Sequence, residues 1–285
     1  MQTSSNLQEW FGGIDIYLFD QLLKGRIVPG MRVLDAGCGA GRNLIYFLRS
    51  GYEVFGVDES EPHIAQVRQM AATLAPHLPA ENFRVEPVEN MSWKSALSDP
   101  PANAGGTDKT VERLSTDYTD YTEEKAKREK PSAKKGPLGV LRTLSQPKAA
   151  LPHPSPLLGG EGEDTIGRGT EAGGTDSFDV VLSSAVLHFA RDEEQWQAMV
   201  NEMWRVLKPG GMLFARLAST IGVEDQIKLI EGRRYHLPDG SDRFLVDAEM
   251  LQRVTAALGG EFLEPIKTTV VENMRAMTTW VVRKQ

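Results

Sequence analysis

The chain contains a single cysteine, Cys38, among 285 residues. With no second thiol it can close no internal disulfide, and no other Cys or His stands beside it at metal-ligand spacing. Long apolar runs are also missing: none approaches the ~18 residues that a membrane span requires. The opening Met1-Gln2-Thr3-Ser4-Ser5-Asn6 has neither the basic nor the apolar block of a secretory signal. These absences predict a cytoplasmic protein with no membrane partner and no metal. Positive charge is scarce as well, with 32 Lys and Arg against 39 Asp and Glu and a net charge of −7. A nucleic-acid partner, whose phosphates call for a basic surface, is therefore not expected. The 40% of hydrophobic residues is enough for a buried core, and the length allows one or two domains.

Apolar patterning divides the chain into three parts, 1–93, 94–176 and 177–285. The middle part, Lys94 to Asp176, is rich in Gly, Pro, Ser, Thr and charge, and holds neither Phe nor Trp and only two Tyr. It has too little apolar area to offset the entropy of ordering, so it reads as a disordered insertion. The flanking parts alternate helical and strand patterns. A helix is expected over Asp15 to Lys24 and a strand over Arg32 to Asp35. They are followed by helix Arg42 to Ser50, strand Glu53 to Asp58, a helix opening at Pro62, and strand Phe83 to Val88. The pattern resumes with strand Phe178 to Ser183, helix Asp192 to Leu207, strand Met212 to Leu217 and helix Asp247 to Leu258. Strands near Phe262 to Lys267 and Met277 to Arg283 end the chain. This alternation predicts an α/β fold with a doubly wound parallel sheet and helices on both faces. Trp196 and Trp204, on one helical pattern, read as core.

The most informative run is Val33-Leu34-Asp35-Ala36-Gly37-Cys38-Gly39-Ala40-Gly41-Arg42-Asn43, followed by Val54-Phe55-Gly56-Val57-Asp58. Glycines at alternate positions after a strand let backbone amides approach a ligand that side chains would hold away. About 20 residues on, Asp58 ends the next strand, where a carboxylate can take the hydroxyls of a ribose. A dinucleotide fingerprint would place its third glycine at position 42, but the glycine is Gly41, which disfavours an NAD-dependent oxidoreductase. Cys38 reads either as a reactive thiol lowered by a helix terminus or, preferentially, as a small side chain that fits a tight turn.

The D-x-G-x-G-x-G loop, with Asp179-Val180-Val181-Leu182-Ser183-Ser184 and Val206-Leu207-Lys208-Pro209-Gly210-Gly211 later in the chain, resembles the class I S-adenosylmethionine (SAM) dependent methyltransferases. The likeness points to the small-molecule type, tellurite-resistance-like or related, over roughly residues 30 to 92 and 177 to 284. It implies a Rossmann-like, mostly parallel seven-stranded sheet with an antiparallel last strand, SAM as cofactor, and a small-molecule methyl acceptor. The cofactor set it implies is Asp35, Gly37, Cys38, Gly39, Gly41, Asp58, Glu59, Val88, Glu89 and Ser183. Asp35 is read as holding the loop or reaching the amino group of the methionine moiety. Where the family usually carries an adenine-binding Asp, this chain has Pro87, and Glu89 reads either as its substitute or as a solvent-exposed glutamate. A binding protein that retains SAM without transferring its methyl is the alternative reading.

On the acceptor side, His188 follows the fourth strand. It reads as a general base or, more simply, as a structural histidine. The connection Gly232 to Phe244 carries Arg233, Arg234, His236 and Arg243. These form either a cover that faces an anionic acceptor or a solvated loop with local salt bridges.

Overall fold

The computed structural model describes residues 7–93 and 177–285; the expected insertion at 94–176 lies outside the described residues. A short helix α1 (Leu7–Phe11) leads into α2 (Ile16–Leu23). Asp15 caps α2 by accepting from the Tyr17 amide, which supplies a partner that the first helical turn lacks.

The first half of the sheet consists of β1 (Arg32–Ala36), β2 (Glu53–Asp58) and β3 (Phe83–Val85), connected through α3 (Ile45–Arg49) and α4 (Glu61–Leu74). The second half holds β4 (Phe178–Ser184), α5 (Glu193–Val206) and β5 (Leu207–Ser219). A separate three-stranded antiparallel sheet follows, formed by β6 (Lys228–Glu231), β7 (Arg234–His236) and β8 (Asp242–Phe244). Then come α6 (Ala248–Ala257), β9 (Gly260–Phe262), β10 (Lys267–Val271) and β11 (Arg275–Lys284). The main sheet runs in the order β10-β11-β5-β4-β1-β2-β3. Strands β1 to β5 pair in parallel, and β11 enters antiparallel between β5 and β10. This is the doubly wound, mostly parallel sheet with an antiparallel last strand. The short β9 adds an eighth strand against β11.

Both faces are covered, so the central strands are apolar on both sides. Within β1, Leu34 and Ala36 join the core shared with α5 and α6, whereas Val33 joins the one beneath α2, α3 and α4. Trp196 stacks between Phe244 and Trp280 in the first of these cores, and Trp204 is buried there as well.

Four boundaries depart from the sequence reading. The helix after the glycine loop begins only at Ile45, because Gly37, Gly39 and Gly41 all take positive φ and the chain turns until it leaves them. The third strand stops at Val85, short of Pro87, which offers no amide to a ladder. The strand expected over Phe262 to Lys267 is two strands, β9 and β10, separated at Pro265. The connection expected as a loop holds the small sheet, whose Leu229 and Ile230 face solvent.

Candidate active site

The glycine loop is stapled to β2. The amides of Gly37 and Cys38 both donate to the Val57 carbonyl, at 2.8 and 2.9 Å. Asp58 then closes the arrangement: one carboxylate oxygen accepts from the Gly39 amide at 2.9 Å and the other from the Ser60 amide at 3.0 Å. Gly37 has φ +80°, and a Cβ there would lie 2.6 Å from both methyls of Val186. Only glycine meets both conditions. In front of this loop lies a cavity of about 400 Å³ lined by Gly37, Gly39, Asp58, Glu59, Val88 and Glu89 on one side. Ala185 and Phe189, from the turn after β4, form part of the other wall. Glu89 is fixed at the cavity edge by accepting from Gln195 Nε2 at 2.7 Å.

The remaining residues of the expected cofactor set stand behind this surface. Asp35 is 1% exposed and its Oδ2 has no partner among the described residues. Burial pushes its carboxyl up to about 7, against the pull of the Arg42 guanidinium and a hydrogen bond from Asn43. Cys38 is buried, with its Sγ packed toward Gly56, and burial raises the thiol well above its ordinary value. It is thus the inert small side chain and not a reactive thiolate. Gly41 is confined by Met70 and Val67 and shapes the loop without lining the cavity. Ser183 is fully buried and likewise off the lining.

A second cavity, about 350 Å³, begins where the first ends. Ala185 and Phe189 line both. Ala185 holds φ +65°, which is costly for a residue with a Cβ, and its amide donates to the Arg216 carbonyl at 2.8 Å. Around this second cavity stand Arg42, His188, Arg216, Arg243 and Arg275. His188 is 7% exposed. Burial first, then Arg243 and Arg275, lowers its pKa to about 4, so the ring is neutral at physiological pH. Beneath the cavity Asp15 accepts from Arg216 at 2.9 Å and from the Ser184 hydroxyl at 3.1 Å, while Arg42 donates to Ser184 at 2.9 Å.

Of the four residues read either as a cover over the acceptor or as a solvated loop, only Arg243 reaches this cavity. Arg233 is turned to Asp247, at 2.9 Å, and toward Glu193, at 3.8 Å. His236 pairs with Asp242 at 2.7 Å, and Arg234 lines neither cavity. Three arginines escaped the sequence reading. Arg216 had a visible signal, a lone charge within the buried pattern Leu213-Phe214-Ala215-Arg216-Leu217. Arg275 had none, since only the antiparallel placement of β11 brings it here.

A doubly wound sheet with its cavities at the carboxyl ends of the strands, a glycine loop after β1 and an acid ending β2 defines a Rossmann-type, nucleotide-cofactor fold. A family model described as a methyltransferase domain matches residues 17–259, and the chain belongs to that family, with the class I SAM-dependent architecture. Among solved structures it is similar to the PH0226 protein of Pyrococcus horikoshii OT3, with a TM-score of 0.54 at 14% identity over 95% of this chain and 89% of that one. It is also similar to the [4+2]-cyclase SpnF, with a TM-score of 0.53 at 13% identity over 94% and 80%. A third is the 1,6-didemethyltoxoflavin-N1-methyltransferase of Burkholderia thailandensis, solved with its substrate and S-adenosylhomocysteine, with a TM-score of 0.50 at 15% identity over 99% and 86%. At these identities the likeness is one of fold. A curated relative, the S-adenosyl-L-methionine-dependent Diels-Alderase iccD of Talaromyces variabilis, is 35% identical over 60 residues, 21% of this chain and a fifth of that protein's length.

Proposed function

We propose that the protein is a SAM-dependent methyltransferase acting on a small molecule. The observation that carries this reading is the pair of cavities joined at Ala185 and Phe189, one framed by the glycine loop and Asp58, the other by side chains suited to an acceptor. SAM fits the first: Gly39 in its lining has open space where a Cβ would project, Asp58 stands where a ribose diol is taken, and Asp35 holds a buried, unpartnered oxygen. When bound, the cofactor supplies an electrophilic methyl on a cationic sulfur.

The chain's own work is then to bind and align. Asp58 would hold the ribose hydroxyls with lone pairs that the Gly39 and Ser60 amides leave free. Glu89 takes the adenine side in place of the Asp the family usually carries. Asp35, behind the loop, favours a cationic amino group, whose charge would draw its carboxyl to the ionised form. His188, at about 4, lies too far below neutral pH for an efficient general base, so its place is to orient the acceptor by hydrogen bonding. Rate enhancement on this reading comes from holding nucleophile and methyl in line. Arg243 supports an anionic acceptor, the net charge of −7 argues against nucleic acid, and the single buried thiol suits a cytoplasmic setting.

A second reading is favoured by two of the relatives, named as a Diels-Alderase and a [4+2]-cyclase. One fold hosts several chemistries, and ring closure beside a retained SAM uses the same two cavities. Product mass separates the two: methyl transfer adds one methylene to the acceptor, and ring closure adds nothing.

Calorimetric titration with SAM and S-adenosylhomocysteine tests the cofactor reading directly. Asp58→Ala removes charge-assisted hydrogen bonds worth about 1.5–3 kcal/mol, so the dissociation constant should rise on the order of 10- to 150-fold. Equal affinity in the variant removes Asp58 from the site.

A further inference from the structure

The second cavity carries more positive charge than its surroundings explain. Four guanidiniums line it, in a chain whose net charge is −7. Asp15 answers Arg216 at 2.9 Å, and Asp239 stands 3.7 Å from Arg275. Neither Arg42 nor Arg243 has a carboxylate within ion-pair distance among the described residues. Arg42 gives one donor to the Ser184 hydroxyl and Arg243 one to the Asp242 carbonyl, and each guanidinium has five to give.

Buried polar atoms at the same place lack partners. Among the described residues, Nδ1 of His188 and Nε of Arg216 are buried and unbonded, and His188 is more than nine-tenths buried. A buried polar atom without a partner is costly, and both belong to residues that line this cavity. Apolar side chains line the same cavity. Phe189 is 63% exposed with Arg243 resting 4.8 Å from its ring, and Leu237 and Met277 are also in the lining.

We infer that this basin seats the anionic end of the methyl acceptor, an acid with an apolar body whose carboxylate or phosphate is held by Arg243 and Arg275, with Arg42, Arg216 and His188 around it. The assignment rests on the reading that the adjoining cavity holds the cofactor. The two neighbours differ in charge accordingly. A cationic sulfonium is favoured beside Asp35, Asp58 and Glu89, and an oxyanion beside four arginines. Guanidinium forks match either oxyanion in a bidentate fashion, and Phe189 offers a ring face to a flat apolar body.

The test uses the full chain saturated with S-adenosylhomocysteine, probed with benzoate, phenyl phosphate and the neutral isostere benzamide. Benzoate or phenyl phosphate should bind at least about tenfold more tightly than benzamide, and the tighter of the two identifies the oxyanion. Arg243→Ala and Arg275→Ala should each weaken that probe about tenfold or more while the affinity for S-adenosylhomocysteine stays within about twofold. Benzamide binding as well as benzoate and phenyl phosphate, or arginine variants that hold the probe unchanged, overturns the inference. So does a parallel loss of S-adenosylhomocysteine in both variants, which would give the basin to the cofactor's own carboxylate. If the wild-type chain binds neither SAM nor S-adenosylhomocysteine but takes the acid probes through Arg243 and Arg275, the basin stands and the cofactor reading falls.

Discussion

The two cavities share Ala185 and Phe189 and are otherwise built by opposite means. The glycine-loop cavity is built largely by the segments that follow β1, β2, β3 and β4, with Gln195 and Met199 of α5, and its wall holds the Asp58 carboxylate fastened to main-chain amides. The arginine basin is made by side chains from five separate places: the loop before α3, the turn after β4, β5, β8 and β11. A site of the first kind is fixed once the strands are paired. One of the second kind depends on each remote element arriving, and it can change its ligand by exchange of single side chains. The two also carry opposite buried loads: a carboxyl pushed up toward neutrality behind the loop, and a histidine held neutral beside the basin.

The largest effect is expected at Asp35. Its carboxyl is raised from 3.8 to about 7, so the folded chain keeps a proton that the unfolded chain has released. Stability should therefore fall as pH rises through that window, by up to about 4 kcal/mol. Asp35→Asn should remove this fall, leaving the cofactor-free variant more stable than wild type near pH 8 while binding SAM more weakly. Urea unfolding at several pH values reads the first effect and calorimetry the second. A variant with the wild-type pH profile breaks the link between this buried acid and the loop.

His188 works in the other direction. Its pKa is lowered from 6.5 to about 4, so the unfolded chain takes up the proton first as pH falls. Stability should drop between those values by about 3 kcal/mol. In wild type the two groups offset one another between about pH 4 and 6.5, and each is seen cleanly only when the other is replaced. In an Asp35→Asn background, His188→Gln should flatten the remaining acid loss. A profile that keeps its slope would place the titrating group elsewhere among the charges around the basin.

The smallest effect belongs to Arg233, which the sequence left open between a cover over the acceptor, beside Arg243, and a solvated loop with local salt bridges. Its partners are Asp247 and Glu193, away from both cavities. Arg233→Ala should cost less than about 1 kcal/mol of stability, the scale of a partly exposed ion pair, and leave turnover near wild type. A severe loss of turnover would bring the β6–β8 sheet back as the substrate cover and erase the distinction between Arg233 and Arg243.

Much of this molecule is local and therefore legible in the chain. The strand-turn geometry around Gly37 and Gly39 and the acid at Asp58 follow from residue types at short spacing. So do the two-sided burial of β1 and β4 and the core placement of Trp196 and Trp204. Backbone sterics and hydrophobic period act over a few residues, and a linear pattern displays them. The boundaries that shifted did so for equally local reasons, three alternate positive-φ glycines before α3 and prolines at 87 and 265, whose strength against the neighbouring periodicity only the folded chain weighed.

What only the tertiary structure decided is which side chains meet. Residues 42, 188, 216, 243 and 275 have no mutual spacing that marks them as a set, and they converge because β11 inserts antiparallel beside β5 and the small sheet folds over the turn after β4. The same geometry sorted the arginines of one connection, sending Arg233 to a salt bridge and Arg243 to the basin. Arg233 sits in the turn before β7 and Arg243 within β8, and what each meets is set by strand register, a long-range quantity that the order of residues does not display.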